Sequence, residues 1–195
     1  TLAHAQQLKD AGFDGVYHAL RLREGIDNQI RPELRLASIR HCQEAGLTVG
    51  TCVEPVGPEH GNDELADLIL FTASLHPAFS GAARRISIPG TDISKRGMIS
   101  ELRMAQCAAV TRLAMPRGTR GNCIHEPCVV GAASGANILW AEIGANPRDN
   151  HEKTEENRGM TVETIRSIYQ EADWQVLDGP SAHYTKAPGS QPGAD

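Results

Sequence analysis

The chain has 195 residues, of which 40% are apolar, enough for one sizeable domain. Its formal net charge is −5 and its basic residues are scattered, which argues against a nucleic-acid partner. The uncharged stretch at residues 127–141 is too short to span a bilayer, so we expect no membrane partner. The five cysteines lack the spacing of secreted disulfide proteins, so we expect a cytoplasmic protein.

Six segments show the apolar spacing or the end signals of α-helices. The clearest has Pro32 at its start and Gly46 just past its end, the positions that these two residue types prefer. Another ends at Pro116, which cannot continue a helix. The sequence therefore predicts helices at about residues 2–11, 32–45, 62–72, 100–115, 129–135 and 162–172.

Short apolar stretches alternate with these helices. Residues 8–13 and 42–47 resemble each other and lie 34 positions apart, about the length of one βα unit. Strands that alternate with helices form parallel sheets with the helices outside. We predict five such strands in sequential neighbour order, at about residues 14–20, 47–54, 83–88, 120–126 and 137–142.

Five strands are fewer than a closed (β/α)8 barrel needs, and such barrels typically have ~250 residues. The chain also starts inside a predicted helix. We therefore expect an α/β fold that is the C-terminal half of a (β/α)8 barrel, strands four to eight, incomplete at the N-terminus. This half barrel would cover residues 1–180, followed by a disordered tail at 181–195.

Polar and charged residues follow each predicted strand. In parallel α/β folds the C-terminal strand ends open on one face, where ligands bind. We therefore expect these side chains to converge on one site. They are His18, Arg21, Arg23 and Glu24 after the first strand, Cys52 and Glu54 on the second, Arg84 and Arg85 beside the third, Cys123, His125, Glu126 and Cys128 on and after the fourth, and Glu142 after the last.

The chemistry of the carboxylate and the arginines leaves their roles open. Glu54 at a strand end needs a partner if it is buried, which favours contact with a ligand. Arg84 and Arg85 would either clamp a carboxylate or phosphate or form a solvated pair, and alternation predicts that one of the two points inward.

The segment from Cys123 to Cys128 has two readings. Thiolate and imidazole ligands suit zinc or iron, and Cys123 and His125 would face the same side of an extended strand. The spacing matches no known zinc motif, however. A packed cysteine beside a hydrogen-bonded His125–Glu126 pair is therefore the alternative to a Cys123, His125 and Cys128 metal site.

Several segments resemble one enzyme family. Residues 1 to about 180 resemble the C-terminal part of radical S-adenosylmethionine enzymes of the biotin synthase-like group. Residues 20–25, 52–60 and 142–149 look most like the radical enzyme linked to synthesis of the guanylylpyridinol cofactor of Fe-hydrogenase. The segments that carry the family resemblance are 8–12 followed by Tyr17-His18, 45–59, 88–91, 104–116 and, most specifically, Ala133-Ser134-Gly135-Ala136-Asn137.

The resemblance implies a radical enzyme of cofactor or small-molecule biosynthesis. A reduced 4Fe–4S cluster would cleave S-adenosylmethionine, and the 5′-deoxyadenosyl radical would abstract hydrogen from a small-molecule substrate. Flavodoxin or ferredoxin would supply the electron. The Cys-x3-Cys-x2-Cys motif that holds the cluster does not occur in the sequence, so we expect it in a missing N-terminal part and expect this portion alone to be inactive.

The resemblance also assigns residues to two groups, without naming a catalytic residue. The residues implied to contact S-adenosylmethionine are Tyr17, Arg21, Arg23, Glu24, Val56 and Ile88. Those implied to face the substrate are Cys52, Glu54, Arg85, Cys123, His125 and Glu126.

Two other classes of protein fit the sequence. One is a metal-dependent barrel lyase or hydrolase that uses Cys123, His125, Glu126 and Cys128. The other is a non-catalytic scaffold derived from a barrel. Neither class requires the cluster motif.

Overall fold

The computed structural model describes residues 1–88, 90–141 and 160–180. The predicted tail at 181–195 and the segment 142–149, which includes Glu142, lie outside these ranges. All six predicted helices are present and are named α1 to α6 in chain order. Their bounds are Leu2–Asp10, Pro32–Glu44, Asn62–Ser74, Glu101–Ala114, Val129–Ala133 and Val162–Glu171.

The strands form one parallel, curled sheet in sequential order, as predicted. β2 and β3 pair with successive parts of β4, so the six strands occupy five positions. The molecule is therefore an α/β protein with a parallel sheet of half-barrel shape. The strands β1 to β6 are Gly15–Tyr17, Thr48–Gly50, Val53–Val56, Phe79–Arg84, Gly121–Ile124 and Ile138–Leu139.

Two of the predicted strands are wrong in detail. The segment 47–54 is broken into β2 and β3, although Gly50 and Val53 pair with β4 in one register; the register shifts later, between Val53 and Val56. The strand predicted at 83–88 lies at Phe79–Arg84. The apolar Ile86 and Ile88 suggested the later position, whereas the strand consists mostly of small residues that pack closely between two neighbours.

The alternation along β4 and β5 defines two faces of the sheet. Ala82 and Ile124 belong to the core between the sheet and helices α3 and α4, together with Leu65 and Met104. Their neighbours along the strands therefore point to the opposite, inner face. The inner face carries Phe79, Gly81, Gly121, Cys123 and, just past β5, His125.

Gly81 allows β4 and β5 to approach closely on this inner face. It pairs with Cys123 and has a φ of +153°. A Cβ atom at Gly81 would overlap the backbone carbonyl oxygen of Cys123. Phe79, two residues before Gly81 on β4, pairs with Gly50 on one side and with Gly121 on the other. Gly50 leaves space for the Phe79 ring and Gly121 for its Cβ atom.

Within the three described ranges, no helix combines the length and the apolar character needed to cross a bilayer.

The close approach at Gly81 predicts a strong effect of a single methyl group. Gly81→Ala should lower the free energy of unfolding by about 3 kcal/mol, because the backbone of β5 must move. Chemical denaturation measures this change. The control is Gly118→Ala, where a Cβ meets nothing within 4 Å, and there the change should stay within ~0.5 kcal/mol. Equal stability of the two variants would contradict the described packing of β4 on β5.

Candidate functional site at the strand ends

A cavity of about 220 Å³ lies at the C-terminal ends of the strands. It brings together Glu54, Arg85, His125 and Glu126, four side chains that the sequence places after three different strands. Their proposed contact with substrate stays a prediction. The complete lining is Arg21, Glu54, Pro55, Ala83, Arg84, Arg85, Ile86, Ile88, His125 and Glu126.

Arg21 and Glu54 form the ion pair at the mouth of this cavity. Arg21 Nε donates to Glu54 Oε1 at 3.0 Å. The Arg21 side chain is 44% exposed, whereas that of Glu54 is 9% exposed. Arg21 is therefore the partner that a ligand can reach, and a ligand that drew Arg21 away would have to compensate the buried Glu54 carboxylate.

Arg85 is held by the protein rather than left open as a clamp. Its two terminal nitrogens donate to the carboxylate of Glu59, and Nη2 also donates to the Gly97 carbonyl at 3.0 Å. The Arg85 guanidinium, with help from Arg96, lowers the pKa of Glu59 to about 2. Arg96 pairs in turn with Asp27 at 2.8 Å, which ties the loop after β1 to the loop after β4.

Arg84 is buried as well, on the side of helix α4. Its Nη1 donates to the Ile99 carbonyl at 3.2 Å, and its backbone N–H donates to Glu126 Oε2 at 3.3 Å. Glu101 and Glu126 lie within 4.0 Å of its guanidinium. The alternative of a solvated arginine pair is therefore wrong.

Arg23 and Glu24 already have protein partners. Arg23 donates to both carboxylate oxygens of Glu64, at 3.0 and 3.1 Å. The Glu24 side chain is fully buried and accepts from Arg35 Nη2 at 2.5 Å and from the Arg21 backbone N–H at 3.3 Å. Their predicted contact with S-adenosylmethionine is untested. Of the three charged residues predicted from this loop, Arg21 is the one that lines the cavity.

The two apolar residues predicted beside the adenine lie in different places. Ile88 is 38% exposed and lines the cavity. Val56 is 1% exposed and packs in the core between the sheet and the helices. Val56 would therefore have to leave that core before it could contact a ligand.

Two cysteines and a histidine meet on the inner face, next to the cavity. Cys52 Sγ lies 2.9 Å from Cys123 Sγ and 3.9 Å from His125 Nε2. Their three ligand atoms all lie within 4.8 Å of one another, and both cysteines are completely buried. In the described part of the chain, this is the group whose geometry suits a metal ion.

The pKa values of the two cysteines shift in opposite directions. The hydrogen bond from Cys52 lowers the pKa of Cys123, whereas burial raises the pKa of Cys52. Burial lowers the pKa of His125, but contact with Cys123 raises it by more, so the net shift is upward.

Aromatic rings surround this group. Tyr17 stacks on Phe79 with ring centroids 6.1 Å apart, and the His125 ring lies 5.9 Å from Tyr17 and 6.0 Å from Trp140. Burial, and then the nearby Cys52 and Glu54, raise the pKa of the Tyr17 phenol. Sequence reasoning missed Phe79 and Trp140. The signal available for Phe79 is the glycine on each neighbouring strand.

Cys128 does not join the metal-type group. It lies at the N-terminus of α5, where its Sγ accepts from the Gly131 backbone N–H at 3.4 Å. Of the alternative metal set Cys123, His125 and Cys128, the first two belong to this group, and Cys52 rather than Cys128 is their neighbour.

In comparisons with known proteins, the sequence matches no family model and no curated protein sequence.

The Glu59–Arg85 pair predicts a pH-dependent stability. Because folding depresses the pKa of Glu59 from 4.5 to about 2, the pair stabilises the fold fully above about pH 4.5 and loses this contribution as the pH falls toward 2. Glu59→Gln should lower the free energy of unfolding by about 2 kcal/mol at pH 7 and by much less near pH 2.5. The value at pH 7 takes into account that solvent screens the partly exposed Glu59 carboxylate.

Urea denaturation at a series of pH values measures this difference. The control is Glu33→Gln, because Glu33 forms an ion pair with Arg31 in which both side chains are about 70% exposed. It should change stability by less than ~0.5 kcal/mol at any pH. A loss for Glu59→Gln that is the same at pH 7 and pH 2.5 would show that the ion pair is not its cause.

Proposed function

We propose that this chain is the part of a biotin synthase-like radical S-adenosylmethionine enzyme that holds S-adenosylmethionine and the substrate, and that its sheet is the C-terminal half of a (β/α)8 barrel. The observation that carries the proposal is the charged cavity at the C-terminal strand ends, with Arg21 and Glu54 at its mouth. The second support is the family resemblance of the sequence. Parallel α/β folds bind their ligands at this edge of the sheet.

The charged groups of the cavity fit the chemistry of S-adenosylmethionine. The ligand carries a carboxylate, two cationic groups and a ribose diol. The partly exposed Arg21 guanidinium suits the carboxylate, and Glu54 suits an ammonium group or a diol. Because about 220 Å³ is small for a ligand of this size, the ligand would extend along the inner face toward Tyr17 and Trp140.

The residues of this chain would position the reactants and exclude water. When bound, S-adenosylmethionine with a reduced 4Fe–4S cluster supplies the radical that abstracts hydrogen. None of the three-cysteine subsets of Cys42, Cys52, Cys107, Cys123 and Cys128 has the cluster spacing. The cluster would therefore have to be held by residues outside this sequence, and its electron would come from a flavodoxin or ferredoxin.

The neighbouring charges would act indirectly. Glu24 and Arg35 fix the loop that carries Arg21, since Glu24 accepts from the Arg21 backbone N–H. Arg85 and Glu59 fix the opposite loop. In both pairs the side chains are at most 19% exposed, so the two loops are held by contacts within the protein.

A metal-dependent lyase or hydrolase is the second candidate function. The specific observation in its favour is the Cys52, Cys123 and His125 group beside the cavity. This candidate differs in one prediction, because it requires a metal at that group for activity and does not require S-adenosylmethionine.

Binding of S-adenosylmethionine tests the proposal. Calorimetric titration of the purified chain should detect binding, and Arg21→Ala should weaken it about 10- to 100-fold, the loss of a hydrogen bond between charged groups. Arg31→Ala is the matched control, because Arg31 is an exposed arginine of the same loop region and lies outside the cavity. It should leave the affinity unchanged.

Two results would count against the proposal. One is the absence of binding at millimolar S-adenosylmethionine to a chain that unfolds cooperatively. The other is equal affinity of the wild type and Arg21→Ala, which would move the ligand away from this cavity.

A further inference from the structure

We infer that Cys52, Cys123 and His125 form a binding site for one zinc ion. The three residues come from two separate parts of the chain, the break between β2 and β3 and the end of β5. The site does not depend on the radical-enzyme proposal, because none of its ligands has an assigned role in holding S-adenosylmethionine.

The distances are close to those that zinc requires. Zn–S bonds of about 2.3 Å and Zn–N bonds of about 2.0 Å in a tetrahedron separate two sulfurs by roughly 3.8 Å and a sulfur from a nitrogen by roughly 3.5 Å. The observed separations are 2.9 Å for the two sulfurs and 3.9 Å for Cys52 Sγ to His125 Nε2. A sulfur shift of less than ~1 Å, within reach of a χ1 rotation, would complete the site.

Burial and charge favour zinc over a hard cation. Both sulfurs are completely buried, and two thiolates with one Zn²⁺ give a neutral group, so the buried site would carry no net charge. Sulfur and imidazole ligands suit zinc, whereas magnesium and calcium require oxygen. The rings of Tyr17 and Trp140, with centroids 5.9 and 6.0 Å from that of His125, add to the apolar surroundings of the group.

The ligand count indicates a site that can accept a further ligand. Structural zinc sites have four protein ligands, whereas three protein ligands leave one position for water or substrate. His125 also lines the cavity that contains Glu54 and Arg21. The fourth ligand of the zinc would therefore come from the cavity side.

Metal titration of the reduced, chelator-treated chain tests the site. Cobalt(II) should bind with one equivalent per chain, give the thiolate-to-cobalt absorption bands of a tetrahedral site, and be displaced by zinc. Cys52→Ser, Cys123→Ser and His125→Ala should each weaken zinc binding by more than ~100-fold, above the 10- to 100-fold cost of changing an outer partner.

Cys128→Ser is the matched control, because Cys128 is a buried thiol at the N-terminus of α5, three residues after His125, and lies outside the group. It should keep the cobalt spectrum. The proposal is overturned if folded wild-type chain gives no thiolate–cobalt bands, or if folded Cys52→Ser binds cobalt with unchanged affinity and an unchanged spectrum. Cooperative unfolding of each variant establishes that it is folded, and His125→Ala supplies an independent readout if a cysteine variant does not fold.

Discussion

The close packing of β4 against β5 is the constraint on which the inner face depends. With hydrogen in place of a side chain at Gly81, the backbone of β5 lies directly against β4. Cys123 and His125 then project from β5 toward the break between β2 and β3, where Cys52 lies. A side chain at position 81 would separate these strands and with them the three ligand atoms.

Charge pairing at the strand ends limits which residues can bind a ligand. Most of the arginines and carboxylates after the strands are used to hold loops together, as in the Glu24–Arg35 and Glu59–Arg85 pairs. Removing one partner of a buried pair leaves an uncompensated charge, which is expensive. Of the three arginines that line the cavity, Arg21 is therefore the one that a ligand can reach. Its side chain is 44% exposed, whereas those of Arg84 and Arg85 are 7% and 5% exposed.

Local sequence signals predicted the helices well, because their ends are marked by Pro32, Gly46, Ser100 and Pro116. They located β4 four residues too late, since the small residues from Ser80 to Ala83 lack the apolar pattern of a strand. The sequence predicts that Cys123 and His125 face the same side of the sheet, because the alternation of side chains depends only on the strand that carries them. The sequence places Cys52 among the substrate-facing residues and not among the candidate metal ligands. Cys52 lies 71 residues from Cys123, and the contact between them depends on the register of three strands, which no local pattern reveals.

The central claim is that the C-terminal strand edge of this sheet binds S-adenosylmethionine. A crystal structure of the protein grown with saturating S-adenosylmethionine tests it most directly. The account predicts electron density for the ligand at the mouth of the cavity, with its carboxylate on Arg21 and its ribose or ammonium group on Glu54. Density for the ligand on the helical layer, or an empty strand edge beside a bound ligand elsewhere, would contradict it.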